Sequence, residues 1–231
     1  MVSIDAAKFS TRELNIRLNE LVEDKQNIEI INPMARHNIV VGILKKCKIT
    51  IHGSLGYYCA SLLDGPNVFI KGNSGWALGE NLMSGVIKLS KDAGASVGAS
   101  MRGGEIFIGR NAGARAGISM KGGTLIVKGN TGFLTGVMMQ KGKIIICGDV
   151  GDAIADSMYE GIIYVGGQIS SLGNDAEIGK ITTKEIDYIQ KILKNYNINK
   201  NADWKKIISS KKLYNYDALE PLEKTKLGKT I

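Results

Sequence analysis

The sequence predicts an all-β chain, a right-handed single-stranded parallel β-helix of about seven 19-residue rungs with N- and C-terminal helical caps. Three observations predict it. Gly56, Gly75, Gly94, Gly113, Gly132 and Gly151 recur every nineteen residues without a slip. Seven blocks of branched aliphatic and aromatic residues keep the same period, from Ile49-Thr50-Ile51 through Leu125-Ile126-Val127 to Ile163-Tyr164-Val165. Two places before each marker glycine stands a polar residue: Ser54, Asn73, Asp92, Asn111, Asn130 and Asp149, continued by Gln168.

Other solenoids are excluded by pattern. The leucine-rich signature is absent, no nonapeptide with recurrent aspartates occurs, nineteen is not a multiple of six, and helical repeats do not tolerate this much glycine. With strands stacked roughly 4.8 Å apart, seven such rungs make a post about 30 Å tall. Charge agrees with stacking. Asp92 and Asp149 have uncharged neighbours above and below, and Lys141 and Glu160 fall beside each other as opposite charges. The polar column is expected at a turn, with amides bonding along the stack. The glycines are expected where corners need φ > 0. The column Leu63, Leu82, Met101, Met120, Met139 and Met158 reads as adaptable core filler.

Taken in chain order, residues 1–45 form a helix–strand cap. Ser10-Thr11-Arg12-Glu13 is a capping box, Leu14, Leu18, Leu21 and Val22 share one helical face, and Ile28–Ile31 reads as a strand that stops near Pro33. Residues 46–175 are the repeat. Residues 176–231 begin a C-terminal cap, where Thr182-Thr183-Lys184-Glu185 opens a helix with Ile186, Ile189 and Leu193 facing inward. A short helix is expected from Asp203 and an extended basic tail from Lys211. Caps of this kind cover rung edges that would otherwise invite pairing with other chains.

Of the formal charge of +8, residues 180–231 supply about +6, from twelve lysines against six acidic residues. This is a lysine-rich solvated end without the arginine and aromatic clustering of a nucleic-acid surface. No segment is long and apolar enough for a membrane span or a signal peptide, so neither nucleic acid nor membrane is expected as a partner, and a cytoplasmic location is. Cys47, Cys59 and Cys147 have no C-x-x-C spacing, and His37 and His52 have no metal spacing. No catalytic, cofactor-binding or metal-binding residue is therefore expected in the chain. Self-association is left open.

What the sequence does offer is a set of candidate partner-interface residues. Arg36 and His37, with Asn38, and Asp64, before Gly65-Pro66, form the most unusual polar clusters, although His37 also fits a structural histidine and Asp64 a turn residue. Trp76, Glu80 and Asn81 interrupt an otherwise small-residue repeat, and aromatic residues are enriched where proteins meet. Lys91 and Arg110 share one column, Arg102 and Lys121 another, with Arg115 close by. Such columns either splay into water or dock an acidic surface or anion.

The repeated G-x-x-x-G-x-x-x-x-x-G pattern resembles the GXGXG domain, the C-terminal β-helix of the glutamate synthase large (alpha) subunit. "STRELN", "RHNIVVG", "GYYCASLLDGP", "GWALGENLMSG", "GISMKGG" and "DSMYEG" are closer still to its free-standing forms, among them one subunit of N-methylglutamate synthase. The resemblance covers residues 4–175 and reaches the tail through "KKLYNYD". The repeat alone is also similar to one subunit of formylmethanofuran dehydrogenase. The resemblance implies a non-catalytic scaffold subunit of a glutamate-synthase-like oxidoreductase, in glutamate biosynthesis and nitrogen metabolism. It implies partner subunits that carry glutaminase activity and an FMN and iron–sulfur centre. The family's N-terminal cysteine nucleophile and cysteine cluster have no counterpart here, since the chain opens Met1-Val2. A glycan-acting β-helix enzyme is a third reading, but the acid, arginine and aromatic ladders of that class are poor here.

Overall fold

The computed structural model describes residues 2–23 and 27–211. After β1 (Val2–Asp5), helix α1 (Thr11–Glu23) and β2 (Asn27–Ile31), seven strands follow at rung intervals. They are β3 (Lys48–His52), β4 (Asp64–Ile70), β5 (Ser84–Leu89), β6 (Glu105–Ile108), β7 (Lys121–Val127), β8 (Lys141–Ile146) and β9 (Ile162–Val165). The chain continues through β10 (Ala176–Gly179), α2 (Thr183–Lys194) and β11 (Lys205–Ser209). All the strands join one sheet in the order β1 to β9, then β11, then β10.

From β1 to β9 the pairing is parallel, and each triplet lies over the next: Ile49 on Val68, Val68 on Ile87, Ile87 on Ile106, Ile106 on Leu125, and so to Ile163. The predicted parallel β-helix is the fold. β1 and β2 extend the same sheet in the same sense, so these two strands are built into the end of the post. Outside the strands, backbone groups also bond between rungs, as in Ala77 N–H to Ala95 O and Gly98 N–H to Leu78 O, both 2.9 Å. This satisfies a coil that has no water on its inner side.

The first and third residues of each triplet point inward and are buried, as are Met101, Met120, Met139 and Met158. α1 closes the first end. Ser10 and Glu13 form the predicted reciprocal cap, and Leu14, Leu18, Leu21 and Val22 are buried. Asn15 fastens α1 to the first coil, donating to Asn38 O at 2.7 Å and accepting from Val41 N–H at 3.2 Å.

The second end is closed differently from the expectation. Thr182 and Glu185 make the predicted capping box. However, α2 lies along the outer face of the sheet, packing Ile189 and Leu193 with Trp204 against Ile126, Ile145 and Tyr164. These middle residues of three triplets point away from the post's interior and need cover of their own. Ile186 is consequently exposed rather than inward. No helix starts at Asp203; instead β11 pairs antiparallel with β9, Ile207 beside Ile163, because the last rung offers an open ladder of backbone groups. The tail expected to be extended from Lys211 falls on residues 212–231, outside the described residues.

The marker glycines also have another cause. Their φ angles are not in the left-handed region, whereas Gly79, Gly98, Gly117 and Gly136 have φ of +68 to +72°. What the markers require is space, since a Cβ at Gly113 would stand 2.8 Å from Ala95 N in the rung beside it.

Candidate partner interface

Space at the marker column is filled by aromatic rings on the first rungs. A Cβ at Gly56 would meet His37 Nδ1 at 2.2 Å, one at Gly75 would meet Tyr57 Cδ1 at 2.3 Å, and one at Gly94 would meet Trp76 Cδ1 at 2.8 Å. Each ring therefore lies over the glycine of the following rung, a seat that no other residue type leaves open. The result is an exposed staircase. His37 stacks on Tyr57 with centroids 4.5 Å apart, and Tyr57 stacks on Trp76 at 5.3 Å. Trp76 is 54% exposed and Tyr57 42%. His37 Nδ1 accepts the Tyr57 backbone N–H at 2.8 Å, which fixes the imidazole at the foot of the stack. Arg36 is a fastener, its guanidinium bonded to Phe9 O.

Beside the staircase runs an open groove of about 510 Å³ between α1 and the coils, lined by Arg12, Asn15, Tyr58, Leu62, Glu80 and Asn81 among others. Tyr58 and Leu62 are large, exposed apolar groups. The structure thus brings Trp76, Glu80 and Asn81 onto neighbouring parts of one end of the post, with His37 and Arg36.

The remaining candidates lie elsewhere. Asp64 is not in a turn; it opens β4, accepts a hydrogen bond from Ser84 Oγ at 2.5 Å, and the Gly65-Pro66 step forms a bulge in the pairing. Lys91 and Arg110 stand on the corner after the strands, where Asp92 faces Arg110 at 3.9 Å. Arg102 is exposed on the corner before the strands, and Lys121 is half-buried there beside Lys141. Arg115 has φ of +56° and donates its N–H to Phe133 O at 2.8 Å, a backbone role within the coil.

The polar column is a hydrogen-bonded ladder, though of side chain to backbone rather than amide to amide. Ser54 Oγ, and then the Oδ1 atoms of Asn73, Asp92, Asn111, Asn130 and Asp149, each accept the backbone N–H of the residue one rung on, at 2.8–3.1 Å. Only Asn111 adds a side-chain pair, donating from Nδ2 to Asp92 at 3.1 Å.

The strongly shifted acids and phenols hold α2 rather than a reaction centre. Burial alone would raise the Glu185 carboxyl, but hydrogen bonds from Lys206, Thr182 and Tyr164 outweigh it and hold it at about 2. Burial and the bond to Glu185 push the Tyr164 hydroxyl well above its ordinary range. Burial and the Glu105 carboxylate do the same to Tyr196, whose ring stacks on Phe107 with centroids 4.0 Å apart. Burial raises the Cys47 and Cys147 thiols to about 11, and raises Cys59. Among the described residues no three His, Cys, Asp or Glu side chains gather as a metal site, and no helix is long and apolar enough to cross a membrane.

The sequence reading missed Tyr57, whose signal was its nineteen-residue separation from Trp76. It placed Tyr164 in a triplet and Glu185 in a capping box without their contact, and it missed Lys206 and Tyr196, for which no periodic signal exists because they lie outside the repeat.

Comparison with known proteins adds two findings. Over 89 residues the chain is 36% identical to Protein GlxC of Rhizobium meliloti (strain 1021), a match that spans 38% of this chain and 39% of that protein. A family model described as the GXGXG motif matches residues 28–218, from β2 past the end of β11. With the stacked coils, the glycine column and strands β3 to β11 inside that match, the chain belongs to the GXGXG-motif family.

Proposed function

We propose that this protein is a non-catalytic structural subunit of a glutamate-synthase-like, multi-subunit oxidoreductase of glutamate biosynthesis and nitrogen metabolism. It braces partner subunits that carry the glutaminase and the FMN and iron–sulfur chemistry. Family membership supports a glutamate-synthase-related subunit. The observation that carries the scaffold role is the His37–Tyr57–Trp76 staircase: stacked, exposed rings on a rigid post, beside an apolar-lipped groove. Rigid aromatic surface of this kind gives binding energy with little ordering cost. The titratable groups point the same way, because Glu185, Tyr164 and Tyr196, each strongly displaced, are spent on fastening α2 and the segment after it. The three cysteines are free, with raised thiols, and do not fit an iron–sulfur cluster.

The test is co-purification of the tagged full chain with flavin, iron–sulfur and glutaminase-like subunits, read by visible spectroscopy. Flavin and iron–sulfur bands are expected with the wild-type chain, and Tyr57→Ala/Trp76→Ala is expected to lose them while keeping its circular dichroism. A molybdenum or tungsten pterin in the complex overturns the reading in favour of a formylmethanofuran dehydrogenase component. Activity of the isolated chain on a glycan overturns it in favour of an enzyme.

A further inference from the structure

We propose that the corner carrying Lys71, Lys91, Arg110 and Lys128 is a docking ridge for an extended acidic segment of a partner protein. The inference rests on the scaffold reading above and adds the chemistry of one partner surface.

The four cations sit on four successive rungs at the corner after β4, β5, β6 and β7, Lys71 and Lys128 one residue past their strands and Lys91 and Arg110 two residues past theirs, and all four are exposed. Backbone bonds fix this corner: Lys91 N–H donates to Gly72 O at 3.2 Å, Arg110 N–H to Lys91 O at 3.2 Å, and Gly129 N–H to Arg110 O at 2.8 Å, so Lys91 and Arg110 stack between Gly72 and Gly129, the residues that follow Lys71 and Lys128. Three rung steps spread the charges over about 14 Å of the corner, in two adjacent columns. The side chains move, but their roots do not.

The polar ladder occupies the same corner and makes it a surface of donors. Asn73 Oδ1 and Asn130 Oδ1 are taken by backbone N–H groups of the following rung, at 3.1 and 2.8 Å. Each exposed amide nitrogen is thereby turned to the other side, and neither bonds a protein acceptor among the described residues. Asp92, the acid of these four rungs at this corner, is already engaged: Oδ1 accepts from the Asn111 backbone and side chain, and Oδ2 faces Arg110 at 3.9 Å. What remains presented to solvent is ammonium, guanidinium and amide N–H. Like charges one rung apart repel, and a row of carboxylates relieves that repulsion while accepting the free donors.

A protein segment fits better than a nucleic acid. Three of the four cations are lysines, and among the described residues no ring stands at the corner on which a base could stack. The outward rings of these strands are covered, Phe69 by the Lys48 and Lys88 ammonium groups at 5.4 and 5.6 Å from its centroid and Phe107 by Tyr196. An extended hexapeptide, about 20 Å long, covers the ridge.

The experiment uses the full chain and a fluorescein-labelled hexaglutamate peptide, with anisotropy measured in about 50 mM salt and again as salt is raised. Binding is expected with the wild-type chain and is expected to weaken with salt. Reversal of the ridge, Lys71→Glu/Lys91→Glu/Arg110→Glu/Lys128→Glu, is expected to weaken it at least tenfold. Reversal of four exposed lysines elsewhere, Lys8→Glu/Lys141→Glu/Lys180→Glu/Lys184→Glu, changes net charge equally and is expected to weaken it less than twofold. Circular dichroism checks that both variants fold; if the ridge variant does not, Lys71→Gln/Lys128→Gln replaces it, with an expected loss of at least threefold. Equal loss in ridge and control variants overturns the proposal, as does absence of wild-type binding at the lowest salt. Tighter binding of a six-nucleotide single-stranded RNA than of the peptide also overturns it. The two readings fail separately. Peptide binding confined to the ridge, without capture of any flavin subunit, sinks the scaffold role alone; capture with ridge-independent peptide binding sinks the ridge alone.

Discussion

Asn111 Oδ1 accepts the backbone N–H of Asn130 at 2.9 Å, one rung further along the post. The same bond recurs from Ser54 to Gln168, so each rung's corner is held by a side chain of the rung before it. Asn130→Ala removes one link, the acceptor for Asp149 N–H. The corner is exposed and water replaces the acceptor, so the expected loss is about 1 kcal/mol in a denaturant titration. Asn130→Asp keeps the acceptor but sets a carboxylate one rung from Asp149. Its loss is expected to shrink as salt rises, whereas that of Asn130→Ala is not.

The glycines separate into two kinds by what alanine does to them. Gly42 has φ of +70° and nothing within 4 Å of a built Cβ. Gly42→Ala is expected to cost only the backbone strain, about 1 kcal/mol. Gly75 has no left-handed φ, but its Cβ would stand 2.3 Å from Tyr57 and 2.8 Å from Gly56 C. Gly75→Ala is expected to cost several times more and to unseat the ring. Paired thermal melts check the order. Because the blocking atom at Gly75 belongs to a side chain, Tyr57→Ala is expected to recover part of the loss.

Thr131 is buried within the post, and its Oγ1 has no hydrogen-bond partner among the described residues. The residue one rung on at that position is Val150. Thr131→Val replaces an unsatisfied hydroxyl by a methyl of similar shape and is expected to stabilise the fold by about 1 kcal/mol. A lowered denaturation midpoint would contradict that account of the core.

Acid should release α2. The Glu185 carboxyl is held at about 2 in the folded chain against an ordinary value of 4.5. A depressed folded value means the stabilisation is complete above pH 4.5 and is lost as pH falls towards 2. Its upper bound is on the order of 3 kcal/mol. Trp204 lies in the α2 cluster and Trp76 is remote from it, so Trp204 fluorescence in a Trp76→Phe background reports the release. Glu185→Gln is expected to lower stability near neutral pH and to flatten the difference between mildly and strongly acidic solution.

The post itself was legible because periodic constraints leave periodic residues. Gly56 to Gly151, the triplets and the ladder residues each answer a demand repeated at every rung. Features made once were not legible in this way. Ile186 and Ile189 look alike in sequence, and only the site that receives α2, the ring of Tyr164 with Ile145, decides that Ile189 is buried. The strand at Lys205–Ser209 answers the open edge of β9, a condition invisible from residues 203–209 alone. At the candidate interface, Trp76 stood out by composition, while Tyr57 acquires meaning only when the coil is laid over its neighbour.

The rung-to-rung register has a consequence for evolution and engineering. Every layer bonds to the next through the same atoms, so length can change only in whole turns: loss of one residue shears the contacts above it, whereas loss of a complete nineteen-residue turn leaves every remaining bond a partner. The protein is in this sense a ruler with fixed graduations, and the separation between whatever binds its two ends can be reset only in steps of about 4.8 Å.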